Sequence, residues 1–371
     1  MTKASTFQKR LFTLRDNMSP KSPDTLWIIQ PENRRYLSGF RASDPQINES
    51  SGSLLINRKQ AILITDSRYT IEAQGQARDF EIITFKKDLL TELTGLLSRM
   101  KTKTLGFEAD HLTWGLHRQL AGRLKSLKSP VRLVPAAGEI DRMRQIKDRD
   151  EIKAMKASSD IISNVLDEVI YSLEPGLTEI EIARELEDLA YDAGADGMAF
   201  PPIIASGPNA ALPHAVPTNR KIGPKDPIIF DVGVKLNGYC SDMTRTIFLE
   251  SPDKRFKEIY RIVRSAQLAA LEYVRPGEES TKPDSIARDI IKDAGFGGYF
   301  GHSLGHGVGL ATHEAPRLSM RNPVKLEQGM VVTVEPGIYI PGRGGIRLEE
   351  MVVIEKDGPR ILTENNNYYD F

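Results

Sequence analysis

Twice in this chain a carboxylate interrupts a run that otherwise reads as a buried strand: IIFDVGV around Asp231 and VVTVEPGI around Glu335. An unpaired charge is costly to bury, so the fold must bring each of them a proton, a cation or a partner. Residues 227–250, PIIFDVGVKLNGYCSDMTRTIFLE, read as two strands joined by Asn237-Gly238, a strong hairpin signal. A two-residue turn there sets Leu236 opposite Tyr239 and Gly233 opposite Asp242, which makes Asp231 and Asp242 diagonal neighbours on one sheet face. Residues 330–340 (MVVTVEPGIYI) and 346–355 (IRLEEMVVIE) repeat the arrangement. Pairing Ile340 with Ile346 across PGRGG sets Gly337 opposite Glu349, so Glu335 and Glu349 are expected as diagonal neighbours, and Arg347 shares their face. Two hairpins of this kind suggest a duplicated half-unit whose carboxylate pairs close on each other.

Four carboxylates and one imidazole suit two divalent cations of intermediate hardness. Structural zinc is disfavoured because thiolates are absent. The competing reading makes the acids solvated strand faces or salt bridges; the apolar surroundings of Asp231 and Glu335 oppose it. Four of the six histidines, His214, His302, His306 and His313, stand among the Gly-rich segments of the second half, three of them within GHSLGHGVGLATHEAPR. Glycines there allow close backbone approach, and one imidazole could complete a metal shell. No phosphate-loop signature occurs. Arg347 could orient Glu349 or a substrate carboxylate, or make a plain salt bridge; Tyr339 could lean into the pocket, or pack as aromatic residues at strand ends do. Cys240 reads as a packing residue, and His111 and His117 as surface residues.

The 371-residue length favours two domains. Residues 1–140 alternate strand-like runs (24–30, 53–56, 61–65, 81–85, 105–107) with helical patterns (67–77, 89–99, 112–126), the rhythm of an α/β domain. The stretch 135–148, PAAGEIDRMRQIKD, reads as an interdomain connection. Residues 141–371 read as an α+β domain that opens with a helix over 150–172, stopped by Pro175-Gly176, and a second helix capped at Thr178. Fifty basic against fifty acidic residues lack the footprint of a nucleic-acid binder. A single cysteine needs no oxidising compartment, and no apolar run reaches the roughly 18 residues of a membrane span. The expectation is a cytoplasmic protein with no membrane partner.

The ordered motifs DVGVKLNGYCSDMTRT, GHSLGHGVGLATHEAP, VTVEPGIYI and GGIRLEE resemble the metallopeptidase family of Xaa-Pro aminopeptidase, Xaa-Pro dipeptidase (prolidase) and methionine aminopeptidase. RRYLSGFRASD and LLINRKQAILITDSRY resemble the creatinase-type N-terminal domain of its proline-specific members. The resemblance implies a pita-bread α+β domain whose curved antiparallel sheet holds two divalent metals, manganese first, cobalt or zinc as alternatives. It assigns Asp231 to one metal, Asp242 and Glu349 to both as bridges, and His306 and Glu335 to the other. In RLEE it selects Glu349, with Glu350 where Asp is more usual. It makes Glu335 the proton shuttle, His214 and His313 the histidines that contact substrate, and His302 a further pocket histidine. The implied activity is hydrolysis of the bond between an N-terminal residue and a following proline, by a homodimer. The alternatives are a prolidase restricted to Xaa-Pro dipeptides, a creatinase-like hydrolase and an inactive peptide-binding module.

Overall fold

The structure, a computed structural model, describes residues 4–371 apart from 20, 45, 47, 48 and 137. It divides into two compact units, residues 1–143 and 144–371. The first contains α1 (Thr6–Asn17), β1 (Thr25–Ile28), α2 (Pro31–Ser38), β2 (Ser53–Asn57), β3 (Ala61–Thr65), α3 (Thr70–Gln76), β4 (Glu81–Thr84), α4 (Leu89–Arg99), β5 (Thr104–Phe107), α5 (Trp114–Lys125) and β6 (Arg132–Pro135). Its mixed sheet has the order β4-β3-β2-β1-β5-β6. β1 lies mid-sheet, and all four of its residues are buried. α4 shows why these segments become helices: Asp88 caps it through Thr91 N, and Leu90, Leu93 and Leu97 recur at helical spacing toward a core with Trp27, Leu55 and Ile64.

The unit is α/β, as the alternation of its sequence implies. The stretch expected to be a mere connection differs: apart from residue 137, which lies outside the described residues, it holds the end of β6 and a helix, α6 (Glu139–Gln145). Charged residues that read as linker are here a helix surface. His117, expected at the surface, is half-buried, its ring 5.4 Å from both Phe107 and Trp114.

The second unit opens with α7 (Arg149–Ser172) and α8 (Glu179–Asp192), each begun by a capping box, Asp148 with Glu151 and Thr178 with Glu181. Then come β7 (Gly197–Met198), β8 (Ile203–Ser206), β9 (Ile228–Val232), β10 (Val234–Leu236), β11 (Tyr239–Cys240) and β12 (Met243–Ile247). α9 (Lys254–Leu271) and α10 (Thr281–Asp293) follow. The chain ends with β13 (Gly305–Gly307), β14 (Glu314–Leu318), β15 (Val331–Val334), β16 (Gly337–Ile340), β17 (Gly344–Arg347), β18 (Glu350–Glu355) and β19 (Gly358–Ile361). All its strand pairs are antiparallel. Two helix-backed cores result. One joins Leu166 and Leu186 to Phe230 and Met243; the other joins Val263 and Ile291 to Val332 and Val352. A helix pair over antiparallel strands thus occurs twice, which fits a duplicated half-unit.

The first hairpin has the expected register. Leu236 pairs with Tyr239, and Asp231 with Thr244 further along, so Gly233 stands level with Asp242. Asn237 and Gly238 have φ of 50° and 78°, as a turn of the I′ type needs. The second hairpin departs from expectation. Ile340 pairs with Gly344 rather than Ile346, and Gly337 with Arg347 rather than Glu349. The cause is a tighter turn, in which Arg343 N donates to Ile340 O around Pro341 and a positive-φ Gly342. Because the slip is two residues, every side chain keeps its face. The Val334↔Glu350 pair carries this register inward, leaving Glu335 level with Glu349 instead of diagonal to it.

Candidate metal centre

Strand alternation builds the site. Ile228, Phe230 and Val232 of β9 enter the core beneath α7 and α8, which turns Asp231 to the opposite face. Val332 and Val334 of β15 enter the other core, which turns Thr333 and Glu335 the same way. Parity also separates the two glutamates of RLEE. Glu350 points backward to Arg245 at 3.2 Å and to Tyr368 Oη at 2.5 Å, leaving Glu349 on the site face.

The two hairpins close on each other through Glu349, which accepts from Thr244 Oγ1 at 2.8 Å while its N–H donates to Thr244 O at 3.0 Å. Buried Arg245 reinforces the junction by donating to Glu349 O. His306 arrives on β13. A Cβ on either flanking glycine would strike backbone, at 2.0 Å from Thr333 O for Gly305 and 2.4 Å from Ala315 O for Gly307. Only glycines let this strand sit so close to its neighbours. His306 Nδ1 lies 3.1 Å from Gly307 O, a contact that suits a protonated Nδ1 and leaves the Nε2 lone pair toward Glu335 Oε1 at 3.4 Å and Asp242 Oδ2 at 3.7 Å. Asp242, His306 and Glu349 each offer a ligand atom within 4.8 Å of the others, and all three are buried.

The electrostatics call for positive charge. Burial first, and then Glu349, Asp231 and Glu335, push the Asp242 carboxyl well above the usual range. Burial and Glu349 do the same to Glu335, and burial with Asp231 lifts Glu349 to about 8. Burial and His313 hold His306 down to about 4, so at neutral pH it is an uncharged donor rather than a counter-ion. Crowded carboxylates beside a neutral imidazole, with no thiolate, fit divalent cations of intermediate hardness.

Asp231 has a different partner. Arg347 Nη2 donates to its Oδ2 at 2.5 Å, while Nη1 reaches Tyr339 Oη at 2.9 Å and Pro213 O at 3.0 Å and Nε reaches Thr244 Oγ1 at 3.2 Å. Of the readings offered for Arg347, the structure shows the salt bridge: it is buried and directed to Asp231. Tyr339 is buried, with its Oη 2.8 Å from His302 Nε2. Burial, helped by Arg347, lowers His302 to about 4. His313 lies at the rim, its ring centroid 4.3 Å from that of His306, and Glu314 beside it is held by Arg144, Lys147 and Ala311 N. His214 is exposed on the loop whose Pro213 carbonyl meets Arg347. Cys240 is buried. Sequence reading missed Thr244, Thr333 and Arg245. Thr244 was findable, because the turn register sets it opposite Asp231; Arg245 was not, because its partners come from the chain's last strands and tail.

Comparison with known proteins agrees with this geometry. Residues 153–356 match metallopeptidase family M24, and residues 10–146 match the creatinase/prolidase N-terminal domain. The Xaa-Pro dipeptidase of Pyrococcus furiosus is 36% identical over 358 residues, 96% of this chain and 98% of that protein. Among solved structures, an Xaa-Pro dipeptidase from Bacillus anthracis superposes with a TM-score of 0.90 at 35% identity, covering 97% of this chain and 98% of its own. An X-Pro aminopeptidase from Thermotoga maritima gives 0.85 at 35% identity, covering 96% and 98%. A pita-bread unit follows an α/β unit here, as the motifs implied, and the chain belongs to metallopeptidase family M24, with a creatinase/prolidase N-terminal domain.

Proposed function

We propose that this chain hydrolyses the bond between an N-terminal residue and a following proline, acting as an Xaa-Pro aminopeptidase with two divalent cations, manganese first. The observation that carries the reading is the convergence of Asp242, His306 and Glu349 within 4.8 Å, flanked by Asp231 and Glu335. Asp231, Asp242, His306, Glu335 and Glu349 would hold the cations. Bound there, the cations supply Lewis acidity and lower the pKa of the attacking water. Glu335 would accept the attacking water's proton and return it to the leaving nitrogen, a role open to a carboxylate at the edge of the metal site.

His214 and His313, on the open side of the site, donate to the substrate carbonyl as negative charge develops. His302, kept neutral and tied to Tyr339, lines the pocket. Arg347 holds Asp231 in place, and buried Tyr339 braces Arg347. Proline has no N–H to offer, so a site gripping the substrate amine and carbonyl avoids that requirement.

A second reading, a prolidase restricted to Xaa-Pro dipeptides, is favoured by the dipeptidase names of the Pyrococcus furiosus and Bacillus anthracis relatives. Rates on Ala-Pro and Ala-Pro-Gly separate the two: faster tripeptide cleavage supports the aminopeptidase, cleavage of the dipeptide alone the prolidase. Full activity after complete chelation defeats both.

A further inference from the structure

Glu179 is a fully buried carboxylate that the chemistry above does not use. It is the first residue of α8, where the helix N-terminus favours negative charge. Five donor groups from three residues converge on it. Ser206 N and Ser206 Oγ are both 2.7 Å from Oε1, Thr218 N and Thr218 Oγ1 are 3.0 and 2.7 Å from Oε2, and Asn209 Nδ2 is 3.0 Å from Oε2. Arg220 donates to Ser206 Oγ at 2.6 Å, so its positive charge stands one hydroxyl away.

Ser206 and Thr218 are the two ends of the loop that carries His214. Between them, the turn at Gly207–Ala211 is pressed against β17, where a Cβ on Gly345 would meet Ala210 O at 2.3 Å. Farther along, Pro213 O is held by Arg347 at 3.0 Å. At its base the loop is held by this carboxylate together with the pairing of Ser206 with Ile228 and the Ile180 N to Thr218 O bond, and it is steadied midway, while Leu212, His214 and Val216 remain exposed.

We propose that Glu179 is a positioning residue for His214: its carboxylate fixes both ends of this loop and so sets where the imidazole meets the substrate carbonyl. The inference rests on the reading of His214 given above. A glutamine of the same shape cannot substitute, because an amide has one acceptor oxygen and would turn its own N–H groups toward the donors.

The test is a double-mutant cycle on Ala-Pro or Ala-Pro-Gly, whichever the wild type cleaves faster, joined to amide hydrogen exchange. His214→Ala is expected to lower kcat/KM about 100-fold and Glu179→Gln about tenfold with metal content unchanged; added to His214→Ala, Glu179→Gln should cost less than about twofold more. Amides of 206–218 should exchange faster in Glu179→Gln while those of β9 and β12 do not. Equal factors for Glu179→Gln in both backgrounds, or unchanged exchange in the loop, overturn the proposal, as does a silent His214→Ala. Should Glu179→Gln fail to fold, Thr218→Val removes a single donor and enters the same cycle. A wild type inactive on both peptides defeats the peptidase reading, and the exchange arm still decides whether Glu179 anchors the loop.

Discussion

Asp231 and Arg347 show how a single contact sets the chemistry of this site. The pair is nearly buried, with side chains 15% and 3% exposed, and Arg347 directs each of its nitrogens to a protein acceptor. Removing one partner of such a pair strands the other charge, at a cost of about 3 kcal/mol or more. Arg347→Ala is therefore expected to reduce kcat by about 100-fold and to weaken metal retention, read by steady-state kinetics and metal analysis after dialysis. The ionisable groups make a second prediction. Glu349 sits near 8 when metal-free, above its unfolded value, so it favours folding at low pH and that stability is lost as pH rises toward 8. His302 and His306, lowered to about 4, act in the opposite sense, losing stability as pH falls from about 6.5 toward 4. Between pH 6.5 and 8 these histidines contribute little against the raised carboxyls. The chelated protein should melt at lower temperature at pH 8 than at pH 6.5, and added Mn²⁺ should raise the melting point more at pH 8.

Among the secondary-structure elements, glycines mark where backbones must touch. A Cβ on Gly233 would lie 2.1 Å from Ser241 O, at the point where β9 passes into β10 opposite Asp242. Gly233→Ala must displace backbone beside a proposed ligand, so it should destabilise by about 2 kcal/mol or more and weaken metal binding, measured by denaturant unfolding and metal titration. Gly95 is the contrasting case: exposed within α4, with nothing within 4 Å of an added Cβ. Gly95→Ala should stabilise the protein by about 0.5–1 kcal/mol in the same unfolding assay. Much of this level was legible in the sequence. Asn237-Gly238 fixed a register because few turns accept positive φ at two successive positions. PGRGG was ambiguous, since several loop lengths suit it, and the structure chose the shorter one.

Across the whole molecule, the two units hold separate cores, and the five proposed metal ligands all belong to residues 144–371. Metal should therefore act on one unit. At 100 times its Kd a ligand adds about 2.7 kcal/mol to the state that binds it. Chelation is expected to speed hydrogen exchange in β9, β12, β15 and β18 while leaving β1, β2 and β5 unchanged. An equal loss of protection in both sets would contradict a metal site confined to the second unit.

The sequence alone determined that Asp231 lies with Asp242, because strand alternation and the two-residue Asn237-Gly238 turn are local; Glu335 lies with Glu349 for any odd-length turn, and the structure supplies one of three residues. The sequence also located the helix start capped at Thr178, and set the preceding helix to begin at 150, one residue from its observed start after the Asp148 cap. Only the tertiary structure decided how the two hairpins close through Thr244 and Glu349, which acid Arg347 holds, and that Glu179 gathers Ser206, Asn209 and Thr218. Those contacts join residues far apart in the chain, and the packing of helix pairs against their sheets sets them, which no local pattern encodes.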